Sequence, residues 1–419
     1  MSSVILNVFS TVGYRGFFAC MMIASSRYLG VERFGSIGLV IATLNIFVVF
    51  AMGSLGLTLT RAVAEYKTSN QSKAIAVATT TYLTAFFVSA LLAGCCFFWS
   101  KSIAVNLLGM RSAATPLELG SLLIITNSIN QIHQSMLLGL EEYLANTKFQ
   151  VFGGILVCGL GLFGMGCIGP NGLVIGLIIA SFLQCLFGIY TICNTGGFGI
   201  LPGPRISFQA LFLEMKKFGV AAGVSTFVVL PIEWCANVLL AQGGGEEAVG
   251  LYIAAMQWVT PAMLIPAVVS QSLLPYIASR THDKENSQND GKLPVLRKSI
   301  LINGTLCGVW AVLVGVFAPF LLRINGDAFL AGVPALRLLL FAAVFQAMSS
   351  PLGVYLAGVG LIHKATLINV TWAVIYIGIL VALRPTGAEI IAAVRLLAYL
   401  IIFMGYCIVV RHSLTTETK

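Results

Sequence analysis

The sequence predicts an all-α integral membrane protein, with about twelve transmembrane helices in two pseudo-symmetric six-helix bundles. Three observations predict it. The 419 residues are 58% hydrophobic and 9% charged, with a mean hydropathy of +0.94, whereas soluble domains are about a quarter charged. So little charge leaves no way to cover a soluble surface. Apolar runs of the roughly 20 residues that carry a helix across hydrocarbon follow one another along the chain, without the alternating segments of about ten residues that mark a membrane barrel. The third observation is an internal repeat that places the same short motifs in both halves.

The spans are expected at Val4 to Ala24, Gly35 to Leu57, Ala74 to Trp99, Leu117 to Leu140, Phe149 to Ile168 and Leu173 to Cys193. After a break they resume at Phe218 to Leu240, Val249 to Ile277, Ile300 to Leu322, Val333 to Leu356, Ala365 to Leu383 and Glu389 to Val410. Basic residues mark the breaks: Arg27 and Arg33 follow the first span, Arg61, Lys67 and Lys73 the second, Lys101 and Arg111 the third, and Lys148 the fourth. Short loops rich in Lys and Arg stay cytoplasmic. Over the whole chain, with the N-terminus placed inside, fifteen Lys and Arg fall in inner loops against seven in outer loops and helix mouths, so both termini are expected in the cytoplasm. The first run has neither a basic region before it nor a small-residue cleavage site after it, and is expected to be a retained span. The chain is therefore expected to divide into an N-terminal six-helix bundle, residues 1–193, a cytoplasmic linker, 194–217, and a C-terminal six-helix bundle, 218–419. Within the linker, Ile206, Phe208, Leu211, Phe212 and Met215 spell an amphipathic helix for the membrane surface. The polar stretch from Arg280 to Lys298 is a second cytoplasmic loop, too short for a catalytic domain.

The repeat rests on a common register. Gly30-Val-Glu32-Arg-Phe34-Gly35 after the first span and Gly245-Glu-Glu247-Ala-Val249-Gly250 after the seventh lie 215 apart. Arg61 and Arg280, Gly139 and Gly358, Thr147 and Thr366, and Val151 and Val370 lie 219 apart. Both halves begin on the same side, so the repeat is parallel, with a pseudo-two-fold axis along the membrane normal, and sites in such proteins lie between repeats.

Several chemistries are excluded. The ten cysteines fall almost all in apolar runs, no CxxC is present, and His133, His282, His363 and His412 are scattered, so neither disulfides nor a metal site is expected. Gly159, Gly161 and Gly164 spell GxGxxG in mid-span with no strand before them, which points to close helix packing, as do Gly172 with Gly176 and Gly304 with Gly308. No phosphate-loop sequence for ATP is present. The net charge of +9 comes without a basic stripe or zinc-finger spacing, so no nucleic-acid partner and no cofactor are expected.

Deep polar residues carry the functional signal. Arg15 lies mid-span, where a charge costs about 2.5 to 3.5 kcal/mol on insertion scales. Asn7, Ser10, Thr11 and Tyr14 share its helix face at spacings i, i+3, i+4 and i+7. Either this face lines a wet cavity, or Arg15 makes one buried ion pair that holds helices together. The fourth span carries Asn127, Asn130, Gln131 and Gln134 at the same spacing, and amides serve sugar hydroxyls and interhelical hydrogen bonds equally well. His133 beside them is expected to be a packing residue. Glu233, two residues after Pro231, and Arg395 fall at comparable depth on the seventh and twelfth spans. They form either a salt bridge within the C-terminal half or a working pair in which Glu233 takes a proton or sodium ion while Arg395 engages substrate.

The run Leu29-Gly30-Val-Glu32-Arg-Phe34-Gly35, followed by a span ending Gly56-Leu57-x-x-x-Arg61-x-Val-Ala64, resembles the polysaccharide-biosynthesis flippases that export lipid-linked oligosaccharide units, such as O-antigen flippases. The resemblance implies the fold of the multidrug, oligosaccharidyl-lipid and polysaccharide exporter superfamily: two six-helix bundles around a central cavity that opens alternately to each side. It implies a transporter of the bacterial cytoplasmic membrane rather than an enzyme. The implied substrate is undecaprenyl diphosphate carrying a short glycan, with membrane lipids and other polysaccharide assembly proteins as partners. Arg15 matches the family's arginine in the first span, and Arg61 the basic residue after the second. Lipid II flippases of the superfamily add two helices that this chain lacks. A guanidinium stays charged and donates bidentately to phosphate, so Arg15 is expected on the diphosphate. Arg61 and Arg280 are then expected at the inner mouth and Arg395 in the outer half, while Asn7, Thr11, Tyr14 and the Asn127–Gln134 stripe hydrogen-bond the glycan. A proton or sodium ion at Glu233 is an optional coupling ion, since an inside-negative potential itself favours outward movement of an anion. Two rivals remain: a cation-coupled multidrug exporter of the same fold, which needs acidic and aromatic cavity groups, and a glycan polymerase or ligase, which needs a large outer loop.

Overall fold

The structure is a computed structural model and describes residues 2–195, 210, 212–213, 220–263, 266 and 292–417. Most of the expected linker helix and the Arg280 loop lie outside the described residues. Backbone polar groups inside a membrane must be satisfied within their own segment, and the chain answers with helices: α1 Ser2–Met52, α2 Leu55–Ser69, α3 Gln71–Phe98, α4 Ala114–Gly139, α5 Tyr143–Ile168, α6 Pro170–Asn194, α7 Val220–Val259, α8 Lys292–Val316, α9 Ala318–Asn325, α10 Val333–Gly358, α11 Ile362–Leu383 and α12 Ala388–Glu417. Local chemistry sets the breaks. Asn70 caps α3 by accepting the Lys73 N–H at 3.0 Å, and Gly169 with Pro170 turns α5 into α6.

Among the described residues, eight helices are long and apolar enough to cross a membrane. The first of them bends at Gly30, where φ is 75° and ψ 172°, so the first two expected spans run as two limbs of α1. The seventh and eighth run likewise as limbs of α7, bent at Gly245 with φ 71° and ψ −168°. Counting limbs, and α4 with its amide stripe, brings the number to about twelve.

Backbone and burial both carry the repeat. Left-handed residues recur in pairs, Gly30 with Gly245, Gly109 with Gly326, Glu141 with Gly360 and Gly169 with Arg384, at offsets of 215 to 219. Every buried residue of α10, from Ala335 to Leu356, has a buried twin on α4 exactly one repeat earlier, at an offset of 219. The buried positions of α11 match those of α5 at the same offset, and those of α12 between Ile391 and Val410 match α6 at 218.

The described chain forms two compact units, one of Met1–Leu29 with Ser36–Trp234 and one of Gly30–Gly35 with Cys235–Lys419. In the first, the initial limb of α1 runs along α5 through three contacts seven or eight residues apart. Thr147 Oγ1 donates to the Leu6 carbonyl at 3.1 Å, a Cβ on Gly154 would lie 3.1 Å from the Tyr14 Cα, and one on Gly161 would lie 2.7 Å from the Met21 sulfur. Helices α5 and α6 pack with backbones in contact, since a Cβ on Gly164 or Gly172 would fall on the other's carbonyl. Gly159 and Gly308, expected at helix contacts, face open space instead. Helix α2 is held to α4 by Thr60 Oγ1 donating to the Ser135 carbonyl at 3.0 Å and by Lys67 donating to Glu141 at 2.6 Å.

In the second unit the two bends interlock. A Cβ on Gly35 would fall on the Glu246 carbonyl, and one on Gly250 on the Val31 carbonyl. At the offset of 215 these are one contact made twice, the self-complementary pattern of a local two-fold. Gly35→Val and Gly250→Val should each overpack this junction by about 1–3 kcal/mol and lower the unfolding temperature of the detergent-extracted protein. Unchanged melting of both variants would show that the bends do not depend on the contact.

Candidate functional site

A cavity of about 670 Å3 lies inside the first unit, within the range of small-molecule sites of about 300–1,000 Å3. Its polar wall carries seven amides: Asn127, Asn130, Gln131 and Gln134 on α4, Gln150 on α5, Gln184 on α6 and Asn45 on the second limb of α1. Thr60, Ser135 and Ser181 add hydroxyls, and Phe18, Ile41, Leu44, Leu123, Val157 and Leu177 apolar side chains. Arg15 is the only cation on this wall, and no carboxylate lines it among the described residues.

Each polar group is held by backbone geometry. The Gly154 contact fixes the backbone at Tyr14, which presents both Tyr14 and Arg15 to the cavity. The Arg15 side chain is exposed and makes no hydrogen bond or ion pair with any described residue. Asn130, 7% exposed, donates through Nδ2 to the Ser181 carbonyl at 2.9 Å, while its Oδ1 has no partner. A carbonyl only accepts, so the amide cannot be turned the other way. The Thr126 and Ser181 hydroxyls meet at 2.7 Å, and the Gln184 amide occupies the space that a Cβ on Gly153 would take.

The cavity thus brings together Tyr14, Arg15, Asn127, Asn130, Gln131 and Gln134 from the residues expected at the site. The side chains of Asn7 and Thr11, and all of Arg280, lie outside the described residues. Arg61 follows Thr60 on α2 and is exposed, one residue beyond the cavity wall. Glu233 is half-buried in the first unit. Arg395 belongs to the second unit, where it is 7% exposed, donates to the Tyr252 hydroxyl at 2.9 Å and lies 5.5 Å from the Tyr399 ring centre. His133 packs between Tyr82 and Phe149, with ring centres 5.6 and 6.0 Å away. Sequence reasoning missed Asn45 and Gln184, each a lone amide in an apolar run, and Gln150, which follows the polar Asn146-Thr147-Lys148 at the start of its helix. Gln184 was readable only through Gly153, the small residue that makes room for it.

Residues 25–304 match the family described as polysaccharide biosynthesis protein. The chain belongs to this family. It is 22% identical over 311 residues to the EPS I polysaccharide export inner membrane protein EpsE of Ralstonia solanacearum, covering 71% of this chain and 68% of that protein. To the protein of the same name from Ralstonia nicotianae it is 24% identical over 333 residues, covering 76% and 71%. Among solved structures it is similar to a multidrug resistance MATE family transporter of the MOP superfamily in its inward-facing conformation, with a TM-score of 0.78, 14% identity and 99% of each chain covered. It is also similar to a MOP superfamily transporter from Pyrococcus furiosus described by the reverse polarity of its binding pocket, with a TM-score of 0.67, 14% identity, and 99% and 95% of the two chains covered. These likenesses show the fold that MOP-superfamily transporters have, and with the family they make the chain a membrane protein of polysaccharide biosynthesis.

In a background lacking the ten native cysteines, Gln131→Cys should react with a membrane-impermeant maleimide, because position 131 is exposed on the cavity face. Ser128→Cys, at a fully buried position one turn away, should not. Equal reaction at both would show that α4 does not present the amide stripe to water.

Proposed function

We propose that this chain carries undecaprenyl diphosphate bearing a short glycan from the cytoplasmic to the outer leaflet of the bacterial inner membrane by alternating access, with both termini cytoplasmic. The observation that carries the reading is the first unit's cavity, which among the described residues offers one unpaired guanidinium and seven amides and no carboxylate. Arg15 takes the anion, donating two parallel hydrogen bonds to phosphate oxygens. Asn127, Asn130, Gln131 and Gln134, with Tyr14 beside them, exchange hydrogen bonds with glycan hydroxyls in place of the water the sugar leaves behind. Asn7 and Thr11, on the Arg15 face of α1, extend that polar track. Arg61 and Arg280 draw the anion toward the inner mouth, and Arg395 meets it later in the cycle. No bond is made or broken. Outward movement of the anion gains about 2.3 kcal/mol per charge per 100 mV of inside-negative potential, with Glu233 as the place for a coupling proton or sodium ion. The polysaccharide export role in the names of both curated relatives supports this reading, and other polysaccharide assembly proteins are the natural partners. A multidrug exporter for cations is disfavoured, because a lone arginine in an acid-free cavity repels them.

In a null strain carrying plasmid copies, Arg15→Ala should lower the rate at which lipid-linked glycan reaches the outer face. Losing a charged hydrogen-bonded contact of about 1.5–3 kcal/mol corresponds to roughly 10- to 100-fold. Arg15→Lys, which keeps the charge but not the fork, should fall between. Lectin binding at the outer face, normalised to membrane-inserted protein, reads the effect. Export at the wild-type rate in Arg15→Ala would remove Arg15 from the substrate path.

A further inference from the structure

The repeat lets one half of the chain report on the other. The helices that wall the first unit's cavity are α4, α5 and α6, and their buried positions recur on α10, α11 and α12. What fills those positions differs. Gly153 and Val157 of α5 correspond to Trp372 and Tyr376 of α11, and Leu177 and Ser181 of α6 correspond to Arg395 and Tyr399 of α12. In the second unit these four large side chains form one packed group. Trp372 stacks on Tyr376 at 5.5 Å and meets Tyr399 at 5.4 Å, Tyr399 lies under the Arg395 guanidinium, and Trp372 is 3% exposed and Tyr376 fully buried. The amides are partly lost: Gln134 and Gln184 of the first unit correspond to Gly353 and Ile402 and Asn130 to Ser349, while Asn127 and Gln150 correspond to the amides Gln346 and Asn369. At the positions where the first unit has Gly153, Val157, Leu177 and Ser181 around its cavity, the second unit has a packed aromatic group.

We infer that the small residues Val157 and Ser181, with Gly153 behind them, determine how large a sugar head the first unit's cavity accepts, and that this cavity seats an uncharged, hydroxyl-bearing sugar unit. The inference rests on the proposed reading of the chain as a lipid-linked oligosaccharide exporter. Sugar hydroxyls both donate and accept, which matches a wall of amides offering both kinds of partner without a charge. The Asn130 Oδ1 is a second, independent pointer. It is a buried acceptor without a partner on a residue of the cavity wall, held in direction by the Ser181 carbonyl, and a sugar hydroxyl reaching it as the wall opens would supply the donor it lacks. Val157 stands seven residues along α5 from Gln150, about 10 Å of helix rise at 1.5 Å per residue, and Ser181 stands beside Gln184 on α6. Both positions therefore bound the space next to the amides, where an added sugar ring would go.

The chain's own second half supplies the test. Val157→Tyr and Ser181→Tyr introduce residues that this framework already packs at the corresponding positions 376 and 399. Full-length wild-type and variant proteins are reconstituted in liposomes and assayed with undecaprenyl diphosphate carrying either one hexose or a tetrasaccharide. Each variant should raise the ratio of monosaccharide to tetrasaccharide transport at least tenfold over wild type. A parallel arm guards against a folding defect: Val157→Leu, Val157→Met and Val157→Phe enlarge the side chain in steps, and selectivity should rise with side-chain size among the variants that insert and purify as wild type does. A ratio unchanged within twofold in both arms would overturn the inference while leaving the exporter reading intact. Calorimetry with the free tetrasaccharide separates the opposite case. If wild type moves neither lipid-linked probe but binds the free tetrasaccharide, and Val157→Tyr weakens that binding tenfold, the exporter reading fails and the sugar slot stands. If wild type neither moves nor binds any of these probes, both fall.

Discussion

Placing Arg15 midway along a membrane-spanning limb costs about 2.5 to 3.5 kcal/mol on insertion scales, and among the described residues no acidic side chain in the cavity around it offsets that cost. The arrangement of the first unit follows from how the charge is accommodated instead. The backbone at Tyr14 rests on Gly154, so the α1 limb sits close against α5 and Arg15 projects into the hollow rather than into lipid. Amides from three further helices and from the second limb of α1 surround that hollow and supply the polar environment that water would supply outside. A carboxylate in the same wall would bind the guanidinium strongly enough to compete with any anionic ligand. Its absence from the described wall keeps the arginine available, and the fold tolerates a standing electrostatic cost to keep it so.

The second unit shows the other way to hold an arginine at depth. Arg395 donates to the Tyr252 hydroxyl and covers the Tyr399 ring, so its charge is met by a hydroxyl and an aromatic face in a packed group. Breaking such a buried arrangement is costly, since a charge left without partners pays its full desolvation. Both arginines were visible in the sequence as deep charges, but only geometry separates one that faces a hollow from one that is enclosed. The difference lies in the neighbours, small at Gly153 and Val157, large at Trp372 and Tyr376.

Much of the fold was legible because lipid leaves a chain few options. Continuous apolar runs must be helices, and the repeat was readable at Gly30 and Gly245 because a left-handed bend favours glycine. It was less readable where the same bend is occupied by another residue. Glu141 and Arg384 adopt left-handed conformations opposite Gly360 and Gly169, so composition alone hides those two pairs. Glu141 has a reason to stay, because its carboxylate ties the end of α4 to Lys67 on α2, a contact glycine could not make. At the site, the α4 stripe was legible because four amides at helical spacing stand out on an apolar helix. Gln150 and Gln184 carry no such pattern. They join the site through packing between helices that are distant in sequence.

Whether the α4 amides serve as glue between helices or as lining of a cavity is a choice that the structure dissolves, atom by atom. Asn130 Nδ2 bonds the Ser181 carbonyl and so ties α4 to α6, with the Thr126 and Ser181 hydroxyls adding a second tie one turn away. The same side chain keeps Oδ1 without a partner in the cavity wall. An amide is suited to this double use because its donor and acceptor are held side by side on one carbon in one rigid plane, so anchoring one fixes the direction of the other. Serine offers no such fixed direction, since its hydroxyl rotates to suit whatever is near. That is consistent with the second unit, where Asn130 corresponds to Ser349, whose hydroxyl turns back to the Phe345 carbonyl of its own helix. A residue that lines the hollow while tying together the two helices on either side of it makes the hollow a consequence of the packing rather than a defect in it.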